Sequence, residues 1–172
     1  MNADAPRSAE RPAPAASATA DAPPIPTGDY VSARIADNLV FTAGMTPKGT
    51  HGLLTVGRLG DAITTARGAE LAATAARRAV AAAREAADRQ GRTLTDPVAM
   101  TVYVAATPTF TEHTAVADGA SSALRHELGD IALPARAAVG VASLPGGSSV
   151  EVQLIVALAP PDDASGAGVA ER

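Results

Sequence analysis

The chain contains no cysteine and no tryptophan, and phenylalanine and tyrosine contribute two residues each. Without cysteine there are no disulfides, zinc ribbons, iron–sulfur clusters or thiol nucleophiles. The few aromatics come with a net charge of −4 and no basic run longer than Arg77–Arg78. That combination argues against a nucleic-acid surface, which needs stacking platforms and phosphate-neutralising charge. No apolar stretch is long enough to cross a bilayer. Prolines and acids interrupt the N-terminal segment where a secretory signal needs an apolar centre. Lysine is nearly absent as well, since Lys48 stands alone against thirteen arginines. These absences lead to the expectation of a cytoplasmic protein with no nucleic-acid or membrane partner.

Alanine is abundant, at roughly a quarter of the 172 residues, well above average usage. The core is therefore expected to be thin, built from Ala, Val and Leu. Residues 1–26 form an Ala/Pro/Ser run with almost no large apolar side chain, which cannot offset its ordering entropy and reads as a disordered tail. Residues 161–172 read as a second flexible tail, leaving one domain over 27–160.

Within that domain the periodicity alternates. Tyr30–Ile35 and Leu39–Ala43 are short apolar runs around the turn pair Asp37–Asn38, a hairpin pattern. Residues 44–60 are loop-like, with a short edge strand near Leu53–Leu54. Thr64 is a plausible N-cap for a helix that reaches Gln90 and stops at Gly91. Leu71, Ala75, Ala79, Ala82 and Ala86 share one face of it, while Arg67, Arg78, Glu85, Asp88 and Arg89 lie mostly away. Pro97–Ala105 alternates as a strand, with Val98, Met100, Val102 and Val104 on one side. Thr111–Leu128 fits a second helix ended by Gly129. Strands Ala135–Ala142 and Val150–Ala159 follow, joined by the turn SLPGGSS. The order β-β-α-β-α-β-β defines an α+β fold, one sheet with two helices on one face. The other face is partly apolar and has no helix left to cover it, so a homo-oligomer is expected.

Few residues have the chemistry for a site. His51, His113 and His126 form no HxxxH or HxH pair, so no metal site is predicted, and the two helical histidines read as surface residues. There is no GxSxG elbow, dinucleotide fingerprint or phosphate loop. Arg136 lies in an apolar strand among Ala135, Ala137 and Ala138. It is either a strand-end arginine snorkelling to water or a fork for a carboxylate. Glu151 projects from the uncovered face, as a rim carboxylate or a general acid/base at a subunit interface.

The strings FTAGMTP, VAMTVYVA and above all LPARAAVGVASLPGGSSVEVQLIVAL resemble the RidA/YjgF (Rid) family of small trimeric enamine/imine deaminases, over about Gly28–Leu158. The DGAS stretch at Asp118–Ser121 is similar to a longer RidA-like subgroup. The resemblance implies a chorismate-mutase-like fold and a barrel-like trimer with clefts between subunits. It further implies hydrolysis of 2-enamino or 2-imino acids to 2-oxo acids and ammonia, without metal or organic cofactor. Arg136 would bind the substrate carboxylate and Glu151 would position or activate water. Tyr30 would wall the cleft, and Gly44 would offer a backbone group near the reactive nitrogen. Ala43 and Ala138 would line the pocket where the family often carries serine and cysteine, and Asp118 stands where an asparagine is usual. Those departures leave two other readings: a ligand-binding trimer with little turnover, and a specialised imine-handling enzyme of a biosynthetic pathway. Ribonuclease action is the least favoured.

Overall fold

The computed structural model describes residues 24–26, 28–129 and 131–160. Both predicted tails lie for the most part outside the described residues; Pro24–Pro26 are the exception. The elements are β1 (Ala33–Ala36), β2 (Leu39–Thr42), β3 (Lys48–Gly49), β4 (Gly52–Leu53), α1 (Thr65–Asp88), β5 (Leu94–Ala105), α2 (His113–Leu128), β6 (Ala135–Val141) and β7 (Val150–Leu158). Five strands form one sheet in the order β1-β2-β7-β5-β6, and β3 pairs with β4 as a separate small hairpin. All contacts in the main sheet are antiparallel except β5–β6, which is parallel and connected through α2. Apart from the added hairpin, this is the β-β-α-β-α-β-β order expected from the sequence.

The helix ends follow from local chemistry. The Thr64 side chain accepts a hydrogen bond from the Arg67 N–H and satisfies one of the four unpaired donors of the first turn. Gly91 at φ 62° and Gly129 at φ 79° turn the chain out of α1 and α2 in a backbone region that disfavours side chains.

Both helices pack on one face of the sheet. All five stripe residues of α1 are buried, together with Gly68, Ala72, Ala76, Val80, Ala83 and Ala87. They meet Val102, Val104, Val150, Val152, Leu154 and Val156 from the sheet and Val116, Ala117, Ala120 and Leu124 from α2. With so many alanines the backbones come close: a Cβ placed on Gly119 of α2 would sit 2.8 Å from the Ala69 Cα of α1. β7 alternates strictly, with Val150, Val152, Leu154 and Val156 buried and Glu151, Gln153, Ile155 and Ala157 half-buried on the opposite face.

In β5 one expectation is corrected. Val98 does not share the buried side of Met100, Val102 and Val104; it is 45% exposed. The ladder with β7 shifts register between Pro97 and Ala99, and Pro97 is the buried residue, opposite Val156. A proline cannot donate to the ladder, so the strand bulges there and Val98 is turned outward. His113 also departs from a plain surface position: its ring meets Phe110 edge-on at 5.2 Å and lies over Gly140 of β6.

Candidate active site

The chain segment following β2 builds the site. Met45 forms an isolated two-bond bridge to Val152 of β7, with N···O distances of 2.8 and 2.9 Å. This lays Gly44 directly over the neighbouring Glu151, so closely that a Cβ at position 44 would collide with the carboxylate oxygen Oε1. Glycine is thus required here for a close approach, not for an unusual dihedral angle. Among the described residues no hydrogen bond engages the Gly44 peptide, leaving its N–H and C=O for a ligand.

Around this pair runs a cleft of about 630 Å³. Tyr30, Ser32, Ala43 and Gly44 line one part of it and Lys48 and Leu53 of the hairpin another. The turn at Pro145–Gly146, Glu151, Arg78 of α1 and Pro24–Pro26 complete the wall. Pro24 is held there by the Ser32 hydroxyl, which donates to its carbonyl. Gly146 and Gly147, at φ 65° and 77°, make the tight turn that brings this wall beside β7. Burial pushes the Glu151 carboxyl above the usual carboxylate range, because half-burying the group disfavours its charged form. A carboxyl shifted in that direction is better suited to exchanging protons near neutral pH.

Of the residues singled out in the sequence, Tyr30, Ala43, Gly44 and Glu151 meet in this cleft. Arg136 and Ala138 do not line it within one chain. Arg136 lies opposite Met100 in the β5–β6 register, so it projects on the helix side of the sheet, whereas Glu151 lies opposite Tyr103 and projects on the open side. The Arg136 Nη1 donates to Asp118 Oδ1 and to Ser121 Oγ of α2, both at 2.8 Å. Two residues of the DGAS stretch therefore hold the guanidinium in place on the edge strand β6. Its Nη2 and Nε make no hydrogen bond among the described residues. Asp118 is 66% exposed, so the pair is positioned at a surface, not sealed in the core.

Arg78 is the member that sequence reading missed. Its place on α1, outside the alanine stripe, suggests a solvated position, and only the folded arrangement puts it in one cleft with the segment after β2.

Comparison with known proteins gives the lineage. The family model described as endoribonuclease L-PSP matches residues 19–158. Protein TCP17 of Trypanosoma cruzi is 35% identical over 137 residues, covering 77% of this chain and 83% of that protein. The crystal structure of Atu1372 from Agrobacterium tumefaciens, a protein of unknown function, superposes with a TM-score of 0.70. It is 31% identical, over 76% of this chain and 82% of its own. The YjgF gene product of E. coli shares the fold at a TM-score of 0.54 and 24% identity, covering 81% of this chain and 94% of its own. The chain belongs to the YjgF/RidA family.

Proposed function

We propose that this protein is a hydrolytic deaminase that converts reactive 2-imino acids, and the enamines that tautomerise to them, into 2-oxo acids and ammonia. The observation that carries the reading is the half-buried Glu151 carboxyl under the unengaged Gly44 peptide, in a cleft of a size suited to a small molecule. Glu151 takes a proton from water as the oxygen bonds to the imine carbon, and the C=N electron pair moves to nitrogen, which receives that proton from Glu151. In the collapse of the carbinolamine Glu151 carries the hydroxyl proton to nitrogen, the C–N bond breaks, ammonia leaves and the carbonyl forms. The Gly44 peptide holds the reacting nitrogen, and Tyr30 walls the cleft.

The carboxylate fork comes from a second copy of the chain. Arg136 stands on an edge strand, with Nη2 and Nε unengaged among the described residues, and the helix-free sheet face exposes Phe41 and Val139 at 37% and 39%. A homo-oligomer, a trimer in this reading, covers that face and brings Arg136 of one subunit to the cleft of the next. The fork then fixes the substrate carboxylate so that the imine carbon faces the water at Glu151.

Arg136→Ala is expected to lose ammonia release from freshly generated 2-iminopropanoate above the spontaneous rate, while the oligomer stays assembled in sedimentation. Full activity in a folded variant would remove Arg136 from the chemistry. Gly44→Ala should leave the melting temperature nearly unchanged, since the added methyl meets the flexible end of a side chain. It should lower ammonia release by about tenfold or more, because that end is the reacting carboxyl. An unaltered rate in Gly44→Ala would mean that Glu151 need not sit where it does.

Ala43 and Ala138 motivate a second reading, a trimer that binds 2-oxo acids with little turnover. Calorimetric binding of 2-oxobutanoate by a protein that releases no ammonia would select it. The family description as an endoribonuclease finds less support, because Tyr30 is the single aromatic side chain among the described cleft residues.

A further inference from the structure

Resting on the deaminase reading, we propose that the cleft accepts a dicarboxylic 2-imino acid, with Arg78 binding the side-chain carboxylate on the helix side. Arg78 lines the same cleft as Glu151, and its Nε is buried with no hydrogen-bond partner among the described residues. Its guanidinium joins no ion pair among them either, in contrast to Arg67, Arg84, Arg89 and Arg136. A partly desolvated guanidinium without an acceptor is unfavourable, and a carboxylate is the planar anion that matches its donors. Burial lowers the group's pKa, but arginine stays protonated at neutral pH.

The charge balance points the same way. Among the described residues, Lys48 and Arg78 line the cleft against one acid, Glu151, so these lining residues carry an excess of positive charge. If Arg136 of a neighbour takes the carboxylate next to the imine, a monocarboxylic substrate leaves Arg78 unanswered. A second carboxylate, carried at the far end of the substrate, answers it. The arrangement thus separates the reacting end at Glu151 and Gly44 from a recognition end at Arg78.

The test uses product-like 2-oxo acids and equilibrium binding to the intact protein, so it does not depend on turnover. 2-Oxoglutarate and 2-oxopentanoate share the reacting end and differ in a terminal carboxylate against a methyl. The wild-type protein is expected to bind 2-oxoglutarate about ten- to a hundredfold more tightly. Arg78→Leu should erase that preference by weakening 2-oxoglutarate alone, and Arg78→Lys should keep part of it. Arg78→Leu should melt no lower than wild type, since it removes a half-buried charge that has no partner among the described residues. Equal binding of the two acids by wild-type protein overturns the proposal, as does equal weakening of both by Arg78→Leu, which would place Arg78 at the shared carboxylate. Selective binding of 2-oxoglutarate without ammonia release from any imine would uphold the Arg78 site and refute the deaminase reading.

Discussion

Glu151→Gln is expected to reduce imine hydrolysis by about a hundred- to ten-thousandfold, the range associated with losing a positioned general acid/base. Glutamine fills the same space beneath Gly44 and can still accept a hydrogen bond from water, but it cannot take up and return a proton. The stability change should go the other way. Burial raises the Glu151 pKa in the folded protein, so the folded state holds this proton more firmly than the unfolded chain. The resulting stabilisation is fully present below the ordinary carboxylate pKa and is lost as pH rises through the shifted value. Glutamine carries no such pH dependence. The variant should therefore melt at or above the wild-type temperature at neutral pH, and the gap should close on acidification. Thermal melts across pH 3–8, paired with ammonia release, separate the two effects. A variant that is both active and less stable would show that Glu151 is a structural carboxylate.

Gly119→Ala should produce the largest loss of stability among the single substitutions considered. Helix propensity alone gives the opposite sign, since alanine in place of an interior glycine stabilises a helix by about 1 kcal/mol. Packing reverses it. The new Cβ would lie 2.6 Å from the Ala69 carbonyl carbon and 2.8 Å from its Cα, and would collide with its carbonyl oxygen. These are backbone atoms of α1, which cannot rotate away as the end of a side chain can. Separating α1 from α2 would open the alanine-lined contact along both helices, so the cost lies at the upper end of about 1–3 kcal/mol for overpacking. Net of propensity, the loss is about 2 kcal/mol, or about 4–8 °C in melting temperature for a chain of this size. Activity per folded molecule should also fall. Gly119 sits between Asp118 and Ser121, and moving α2 moves both acceptors that hold Arg136. A melting temperature equal to or above wild type would mean that the helices can separate at little cost.

Much of this fold was legible because the signals are local. The strict alternation of β7 assigns Val152 to the core and Glu151 to the open side before any partner strand is known. The Thr64 cap, the two terminal glycines and the alanine stripe of α1 depend on residues within a turn or two of each other. The rest depends on register and loop placement. That Arg136 and Glu151 leave opposite faces follows only once β6 is paired to β5 at Met100 and β7 to β5 at Tyr103. Residue spacing along the chain carries no information about either pairing. Val98 is turned out by a bulge at Pro97 that strand periodicity alone does not reveal. Arg78 looks like part of a solvated face because a helical pattern describes one element, whereas the cleft it lines is also built by the segment after β2 and the turn at Pro145–Gly146. The proposed site thus divides in two: Gly44 and Glu151 are brought together by one strand bridge, and Arg136 stands on the far edge of the sheet.

That division can be tested by complementation, which asks whether each reaction centre joins Glu151 of one subunit to Arg136 of another. Glu151→Gln and Arg136→Ala proteins, each inactive alone, are unfolded, mixed in equal amounts and refolded together, and ammonia release from 2-iminopropanoate is measured. If the two groups come from different subunits, random assembly regenerates both wild-type side chains in about a quarter of the sites. That fraction of wild-type activity is expected to return. If both groups serve the same site from one chain, no mixed site carries the pair, and a mixture as inactive as its components would rule out a site shared between subunits.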